Sequence, residues 1–126
     1  MSGSQPARAT VPDAADLARW IAGYAADTKA IDVVELDLRD VLGYTDYFVI
    51  ATGNTDRQTK AIHDRIHIGL KNEHGLLPRR VEGVAEARWI LMDYLDVVVH
   101  VFTPEAREFY RLEQLWGGAP KRAVGE

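Results

Sequence analysis

The sequence predicts an α/β fold, a single domain with a mixed sheet of about five strands flanked by helices. Segments with helical apolar periodicity alternate with short β-branched runs, in the order α-β-β-α-β-β-β-α. The second helical segment joins two strands and is long enough for a crossover connection, which parallel pairing requires. A chain of 126 residues suffices for one hydrophobic core under such a sheet, but not for two cores.

Composition narrows the functional classes. The chain has no cysteine, which excludes disulfides, thiolate zinc ligands and a cysteine nucleophile and fits a reducing cytoplasmic setting. No apolar run approaches the roughly 20 residues that cross a bilayer, and the N-terminus lacks a signal-peptide pattern. The net charge of -4 disfavours nucleic acid as the main partner but suits contact with a basic protein. We therefore expect a cytoplasmic protein with a protein partner, no membrane contact and no direct sequence-specific nucleic-acid contact.

The first part of the chain predicts one helix and two strands. Residues 1–12 are small, polar and interrupted by proline, which indicates a disordered lead. Asp13 is a candidate N-cap, and an apolar stripe at helical spacing predicts a helix over Asp13–Asp27. Alternating side chains predict a strand over Asp32–Leu38. The next strand, Asp46–Thr52, is apolar on both faces, which is typical of the interior of a sheet.

The second helix carries clear start and stop signals. Thr55 and Gln58 have the spacing of a capping box, in which each side chain satisfies a free backbone N–H group of the first turn. Gly75 can supply the left-handed residue that ends the helix. A short strand is predicted after it, over Arg79–Val84.

A hairpin and a third helix complete the predicted fold. Val97–Phe102 is the most hydrophobic β-branched run, and it predicts a buried central strand paired with the arm Arg88–Asp93. Pro104 at the first helical position begins a helix that extends to Trp116. Residues 117–126 are predicted to form a flexible tail.

Three histidines on the second helix resemble a metal motif. His63 and His67 lie one turn apart, as in H-E-x-x-H sites, and His74 lies on nearly the same side. A rise of roughly 1.5 Å per residue separates His74 from His67 by about 10 Å, too far for one metal ion to bind both. We favour a solvated helix face and expect no metal.

An enzymatic alternative rests on two acidic residues. Glu35 and Asp37 share one face of a strand, the arrangement by which nucleotidyltransferases hold Mg²⁺, and the turn at 52–55 could meet a phosphate. The turn lacks a glycine-rich cradle and a lysine, so the signal is weak. His100, inside the valine run, is expected to be a hydrogen-bonded core histidine rather than a catalytic base. A metal-dependent nucleotidyltransferase is therefore the alternative function, and we expect no catalytic residue and no cofactor.

The first hairpin arm has large apolar groups on both sides of the pleat. Ile90 and Met92 fall on one side, and Trp89, Leu91 and Asp93 fall on the other. Either a helix covers the second side, or it stays exposed as a docking surface beside Tyr94 and the carboxylates Glu82, Asp93 and Asp96, which would complement a basic partner. The pattern leaves both interpretations open.

Five stretches resemble the ribosomal silencing factor family, also called the Iojap family. They are DVVELDLRD (32–40), TDYFVIATGNTDRQTKAI (45–62), RVEG (80–83), RWILMDYLDVVVHVF (88–102) and PEAREFYRLEQLW (104–116). In order and spacing they span most of residues 13–116, which we therefore interpret as a ribosomal silencing factor domain.

The resemblance implies a nucleotidyltransferase-like fold without catalytic equipment, and a cytoplasmic factor that is not an enzyme. It implies binding to large-subunit ribosomal protein fourteen, which blocks subunit joining and represses translation when nutrients are short. The contact set that it implies is Glu82, Arg88, Trp89, Asp93, Tyr94 and Asp96. Trp89 and Tyr94 would be the aromatic anchors, and the acidic residues would face basic side chains of the partner.

One position departs from the family pattern. Leu95 stands in the hairpin turn where the family usually has glycine. If the turn requires a positive φ, Leu95 is strained. An exposed apolar patch can also self-associate, so both a monomer and a homodimer are compatible with the free protein.

Overall fold

The structure, a computed structural model, describes residues 12–41 and 43–124. In chain order its elements are α1 Ala14–Asp27, β1 Ile31–Asp37, β2 Tyr47–Thr52, α2 Asp56–His74, β3 Arg80–Glu82, β4 Trp89–Asp93, β5 Val97–Phe102, α3 Pro104–Tyr110, α4 Leu112–Leu115 and β6 Lys121–Val124. The six strands form one sheet in the order β3-β4-β5-β2-β1-β6. Within this part of the chain, no helix is long and apolar enough to span a membrane.

The sheet is mixed, as predicted. β2 and β5 pair in parallel, and the other neighbouring strands pair antiparallel. α2 supplies the crossover that returns the chain to the end of the sheet where β2 began. β3, β4 and β5 then form an antiparallel meander. The predicted α/β class is confirmed, with one strand more than expected.

Helices α1 and α2 cover one side of the sheet, which we call the helical face. Their apolar stripes meet the inward side chains of the strands in one continuous core. Fully buried members of this core include Ile21, Val49, Ile62, Ile66, Leu70, Ile90, Met92 and Val99. Gly69 lets the two helices approach closely, because a Cβ there would lie 2.7 Å from the ring of Tyr24.

The opposite side, which we call the groove face, carries a smaller core. Its side chains are Val34, Leu36, Leu38, Phe48, Ile50, Val98 and Phe102, with Trp89 and Leu91 packed against them. The C-terminal segment covers part of this face through Ala106, Leu112 and Trp116. The groove face is therefore only partly covered by helices, whereas α1 and α2 lie across the other.

The predicted capping box of α2 is confirmed. The Thr55 hydroxyl accepts a hydrogen bond from the Gln58 N–H at 3.1 Å, and the Gln58 side chain accepts one from the Asn54 N–H at 2.9 Å. Gly75 ends the helix with φ +67, as predicted. Asp13 is the N-cap residue of α1, as predicted, but its backbone carbonyl, and not its side chain, accepts a hydrogen bond from the first turn, from the Leu17 N–H at 2.9 Å.

Two other predictions are wrong, and a third concerns residues that lie almost entirely outside the described range. The flexible tail predicted over 117–126 contains β6, which pairs with β1 through residues 121–124. The third helix does not run unbroken to Trp116, because Arg111 adopts a left-handed conformation (φ +49) between α3 and α4. The predicted disordered lead lies outside the described residues apart from Pro12.

Candidate partner-binding surface

Trp89 is the first residue of β4 and lies half-buried on the groove face. Its indole N–H donates a hydrogen bond to Nδ1 of His100 on β5, at 3.0 Å. The ring packs against Phe102 and Tyr110, with centroid separations of 5.2 and 4.5 Å. Such aromatic contacts are worth about 0.5–1.5 kcal/mol beyond area burial. Trp89 is thus held firmly while part of its surface stays open.

The β3–β4 connection fixes the position of Trp89. Gly83 has φ +87, and a Cβ there would lie 2.1 Å from the carbonyl oxygen of Trp89, so the close approach requires glycine. The Ala87 N–H closes the turn onto the Gly83 carbonyl at 2.9 Å, and the Ala87 carbonyl accepts from the Thr59 hydroxyl of α2 at 2.6 Å. The start of β4 is therefore tied to both β3 and the helix behind the sheet.

Two grooves lie beside Trp89 and its partner His100 on this face. The histidine groove has a volume of about 310 Å³ and is lined by Tyr44, Phe48, Arg79, Arg80, Leu91, Asp93, Val98 and His100. The aromatic groove has a volume of about 410 Å³ and is lined by Arg88, Trp89, Glu105, Ala106, Phe109 and Tyr110. Trp89 connects them, because it lines the aromatic groove while its N–H binds the histidine of the other.

Asp93 is buried at the end of β4, and its charge is compensated within the chain. Oδ2 accepts from Nε of Arg79 at 3.1 Å and lies 3.9 Å from Nη2 of Arg80. Oδ1 accepts from the backbone N–H of Leu95 at 2.8 Å. A buried carboxylate is tolerated only with such partners. Asp93 therefore organises the hairpin turn and the rim of the histidine groove, and it offers little free charge to a partner.

The hairpin turn places Leu95 at φ +77, which is the condition under which we expect strain at this residue. A left-handed conformation costs a non-glycine residue about 1–2 kcal/mol. The hydrogen bond from the Leu95 N–H to Asp93 offsets part of this cost. Because Leu95 is half exposed, the packing of its side chain contributes little to stability.

Comparison with known proteins identifies the family. The family model described as "Ribosomal silencing factor during starvation" matches residues 11–126. The chain belongs to the ribosomal silencing factor family. The resemblance seen in the sequence is thereby confirmed.

Individual relatives agree. The chain is 46% identical over 101 residues to the ribosomal silencing factor RsfS of Bacillus subtilis (strain 168), which covers 79% of this chain and 85% of the relative. It is 34% identical to a Mus musculus protein named mitochondrial assembly of ribosomal large subunit protein 1, over 70% of this chain and 40% of that protein. It is also similar to a crystal structure from Chromobacterium violaceum, with a TM-score of 0.81 and 32% identity over 84% of this chain and 88% of that one.

Three residues of the contact set implied by the silencing-factor resemblance lie together on the groove face. Glu82 is exposed on β3 and pairs across the ladder with Leu91, so both point to this side. Arg88 and Trp89 line the aromatic groove. Asp96 lies at the exposed hairpin tip, where its carbonyl holds the start of β2 through the N–H groups of residues 46 and 47.

Tyr94 lies on the other side of the sheet. It belongs to the helical-face core with Ile90 and Met92, and it is only 9% exposed. Burial raises the pKa of its hydroxyl above the usual range, and among the described residues that hydroxyl has no hydrogen-bond partner. Trp89 and Tyr94 therefore do not form the joint exposed patch that was predicted, and a direct partner contact by Tyr94 stays a prediction.

Other aromatic residues stand beside Trp89 instead. Phe109 is 78% exposed, and its ring centroid lies 4.9 Å from that of Tyr110, which packs on Trp89. The sequence carried a signal for them, because they follow Ala106 by three and four residues and so share its side of α3. Tyr44, 60% exposed, marks the opposite end of the surface at the rim of the histidine groove.

Two of the histidines that resemble a metal motif contact other side chains of the chain. His74 stacks on Trp20 with centroids 3.6 Å apart, and His63 Nδ1 lies 2.9 Å from Asp64. The described residues contain no group of three or more side chains suited to a metal ion.

Glu35 and Asp37, on which the enzymatic alternative rests, both form ion pairs within the chain. Glu35 is buried and faces Arg122 at 3.2 Å, and Asp37 is bonded to Arg39 at 2.6 Å. The guanidinium of Arg39 holds the pKa of the Asp37 carboxyl below its usual value. Each carboxylate thus has a cationic partner within the chain.

His100 is a hydrogen-bonded core histidine, as predicted. The residue is 4% exposed, and its ring meets Phe48 edge to face at a centroid distance of 4.6 Å. Burial lowers its pKa to about 4, so the ring is neutral at physiological pH.

Proposed function

We propose that this protein binds the large ribosomal subunit through large-subunit ribosomal protein fourteen, sterically blocks subunit joining, and so represses translation under nutrient limitation. Membership of the silencing-factor family supports the silencing role. The name of the mouse relative, which refers to the ribosomal large subunit, supports that subunit as the target. The cytoplasm is then the place of action.

The observation that carries the proposal is the half-open groove face around Trp89. A firmly held tryptophan beside grooves is typical of the centre of a protein interface, where aromatic residues contribute most of the binding energy. Phe109 and Tyr110 extend the aromatic surface along α3, and Tyr44 extends it at the other end. On the other side, α1 and α2 pack across the strands, and the opening of about 440 Å³ found there is lined by residues of these helices, such as Trp20 and His74, and not by the sheet.

The acidic members of the contact set divide into two roles. Asp96 exposes its side chain and can pair with a basic group of a ribosomal protein, and Glu82, which forms an exposed ion pair with Arg80 at 3.4 Å, can exchange that partner for such a group. The net charge of -4 favours approach to a basic surface. Asp93 acts from within, by holding Leu95 and the two rim arginines in place.

The proposed action requires no chemistry. A protein that binds the subunit-joining side of the large subunit excludes the small subunit by its volume alone. In the absence of the ribosome, the same apolar surface is available for a homodimer, which would bury it between two copies.

Co-sedimentation with isolated large subunits tests the proposal with two half-buried tryptophans on opposite faces. Trp89→Ala removes the centre of the surface, and Trp20→Ala removes an indole of similar exposure from α1, where it stacks on His74. We expect Trp89→Ala to weaken binding at least tenfold, since a central aromatic contributes about 2 kcal/mol or more, and Trp20→Ala to bind as the wild type does.

A charge exchange provides a second pair. Glu82→Lys reverses a charge on the proposed surface, and Asp64→Lys makes the same change on the exposed side of α2. Weaker sedimentation of the first variant alone supports the surface. If the two variants within each pair bind alike, or if the wild-type protein stays in the supernatant, the proposal is ruled out.

A further inference from the structure

The hydrogen bond between Trp89 and His100 determines where the imidazole proton lies. An indole nitrogen can only donate, so His100 Nδ1, 3.0 Å from it, must accept and carries no proton. Because burial keeps the ring neutral, the single proton is on Nε2. His100 therefore presents one N–H donor, at Nε2.

This donor has no acceptor among the described residues. Nε2 of His100 is fully buried and makes no hydrogen bond there. A buried donor left without an acceptor costs about 1–3 kcal/mol. His100 lines the histidine groove, whose volume of about 310 Å³ is several times that of a water molecule. The groove is thus wide enough for a side chain or a loop of another protein, and the side chains around the ring must shift for that group to reach Nε2, which is covered in the free chain.

The rest of the groove also offers donors. Arg79 and Arg80 stand at its rim with side chains 57% and 58% exposed. Arg79 contacts Asp93 through Nε, and Arg80 contacts Glu82 through Nε at 3.4 Å, so the terminal amino groups of Arg79 are available to a partner. The one carboxylate in the groove, Asp93, is already held by these arginines. A lysine or arginine of a partner would meet like charge and no free acceptor. An oxygen acceptor would meet three sets of N–H groups.

We propose that the histidine groove receives an oxygen acceptor of the ribosomal partner, a backbone carbonyl or a carboxylate, which accepts a hydrogen bond from His100 Nε2. This inference rests on the proposed function and adds the recognition chemistry of one part of the surface. The apolar groups Phe48, Leu91 and Val98 exclude water around the bond, which strengthens it. The groove face then has two parts: exposed carboxylates and aromatics for basic and apolar groups, and this groove for an oxygen.

Two isosteric variants separate the two nitrogens of His100. His100→Asn places an amide oxygen near the position of Nδ1, so it can still accept from Trp89, but it has no atom at the position of Nε2. His100→Gln extends an amide N–H to the position of Nε2 and has no acceptor near Nδ1. Their affinities for isolated large subunits are compared with that of the wild type.

We expect His100→Asn to weaken binding about tenfold, the equivalent of one hydrogen bond, and His100→Gln to stay within about threefold of the wild type. The indole N–H resonance of Trp89 and the thermal unfolding midpoint verify that His100→Asn keeps the fold and the indole contact. Binding of His100→Asn at wild-type strength would overturn the inference and assign the Nε2 proton to bound water. Equal losses in both variants would also overturn it, because they indicate a purely structural role.

A second measurement does not depend on a variant that folds. In long-range ¹H–¹⁵N spectra, the His100 Nε2–H signal of the wild type should shift when recombinant large-subunit protein fourteen is added. No shift in a complex that forms would contradict the groove assignment while leaving the proposed function intact. If no complex forms with that protein or with large subunits, the proposed function fails and the groove assignment fails with it.

Discussion

The two faces of the sheet solve the problem of burying apolar side chains differently. On the helical face, α1 and α2 enclose a core in which Ile21, Ile66 and Ile90 are completely inaccessible to solvent. On the groove face, short C-terminal helices cover one part, and Trp89 lies half-buried between two grooves. The same period-two alternation supplies apolar residues to both faces. The two faces differ in how much of each is covered by helices. The less covered groove face is the one available to a partner.

This difference separates stability from recognition. Side chains of the helical face contribute to the free energy of unfolding through burial that is already complete. Exposed side chains of the groove face, such as Phe109, contribute little to folding and can contribute to binding. Substitutions on the two faces should therefore have opposite profiles, and the following predictions test this.

The largest expected effect is that of Tyr94→Ala. Because Tyr94 is packed into the helical-face core, we expect a loss of about 3–5 kcal/mol in the free energy of unfolding, measured with urea. Phe109→Ala, which removes a similar ring from the groove face, should change it by no more than about 0.5 kcal/mol. If Tyr94→Ala proves as harmless as Phe109→Ala, Tyr94 is not a core residue and the original aromatic-anchor prediction returns.

An intermediate effect is expected from acid, through His100. The pKa of His100 is lowered to about 4 in the folded protein, so as pH falls below about 6.5 the unfolded chain takes up this proton and the folded protein does not. The stability contributed by the neutral ring is complete above that pH and is lost towards pH 4.

His100→Asn isolates this contribution, since the other titrating groups are common to both proteins. Between about pH 7 and about pH 5, the wild type should lose about 2 kcal/mol more stability than the variant. Parallel stability curves for the two proteins would show that His100 is accessible to protons in the folded state. The groove face would then be more open than described.

The smallest effect is expected at the hairpin turn. Leu95→Gly relieves the left-handed conformation at φ +77 and removes a side chain that is half exposed, so we expect a gain of about 0.5–1 kcal/mol. Differential scanning calorimetry at neutral pH measures the shift. A loss of stability would mean that the Leu95 side chain packs more strongly than its exposure indicates, and that the rim of the groove face is better covered.

Much of this architecture follows from local pattern. The capping box at Thr55 and the stop at Gly75 bound α2, and the valine run predicts the central strand β5. Period-two alternation also places Tyr94 with Met92, away from Trp89, but both the interpretation of the hairpin as a docking surface and the family resemblance put the two aromatics in one patch.

Other features depend on contacts between distant segments. β6 is short and exposed, and it exists because it pairs with β1 and joins Arg122 to Glu35, residues far apart in the chain. The bond between Trp89 and His100 requires the register of β4 against β5, which no local pattern specifies. The grooves likewise depend on how the C-terminal helices lie across the sheet, so their lining could not be read from the chain.

Hydrogen–deuterium exchange of the protein bound to large ribosomal subunits tests the central claim most directly. We expect slower amide exchange, relative to the free protein, in peptides that cover the hairpin turn and α3. Amide exchange in peptides of α1 and α2 should be unchanged. Protection confined to α1 and α2 would contradict the assignment of the groove face as the docking surface. Unchanged exchange everywhere, under conditions that sediment the protein with large subunits, would contradict it as well.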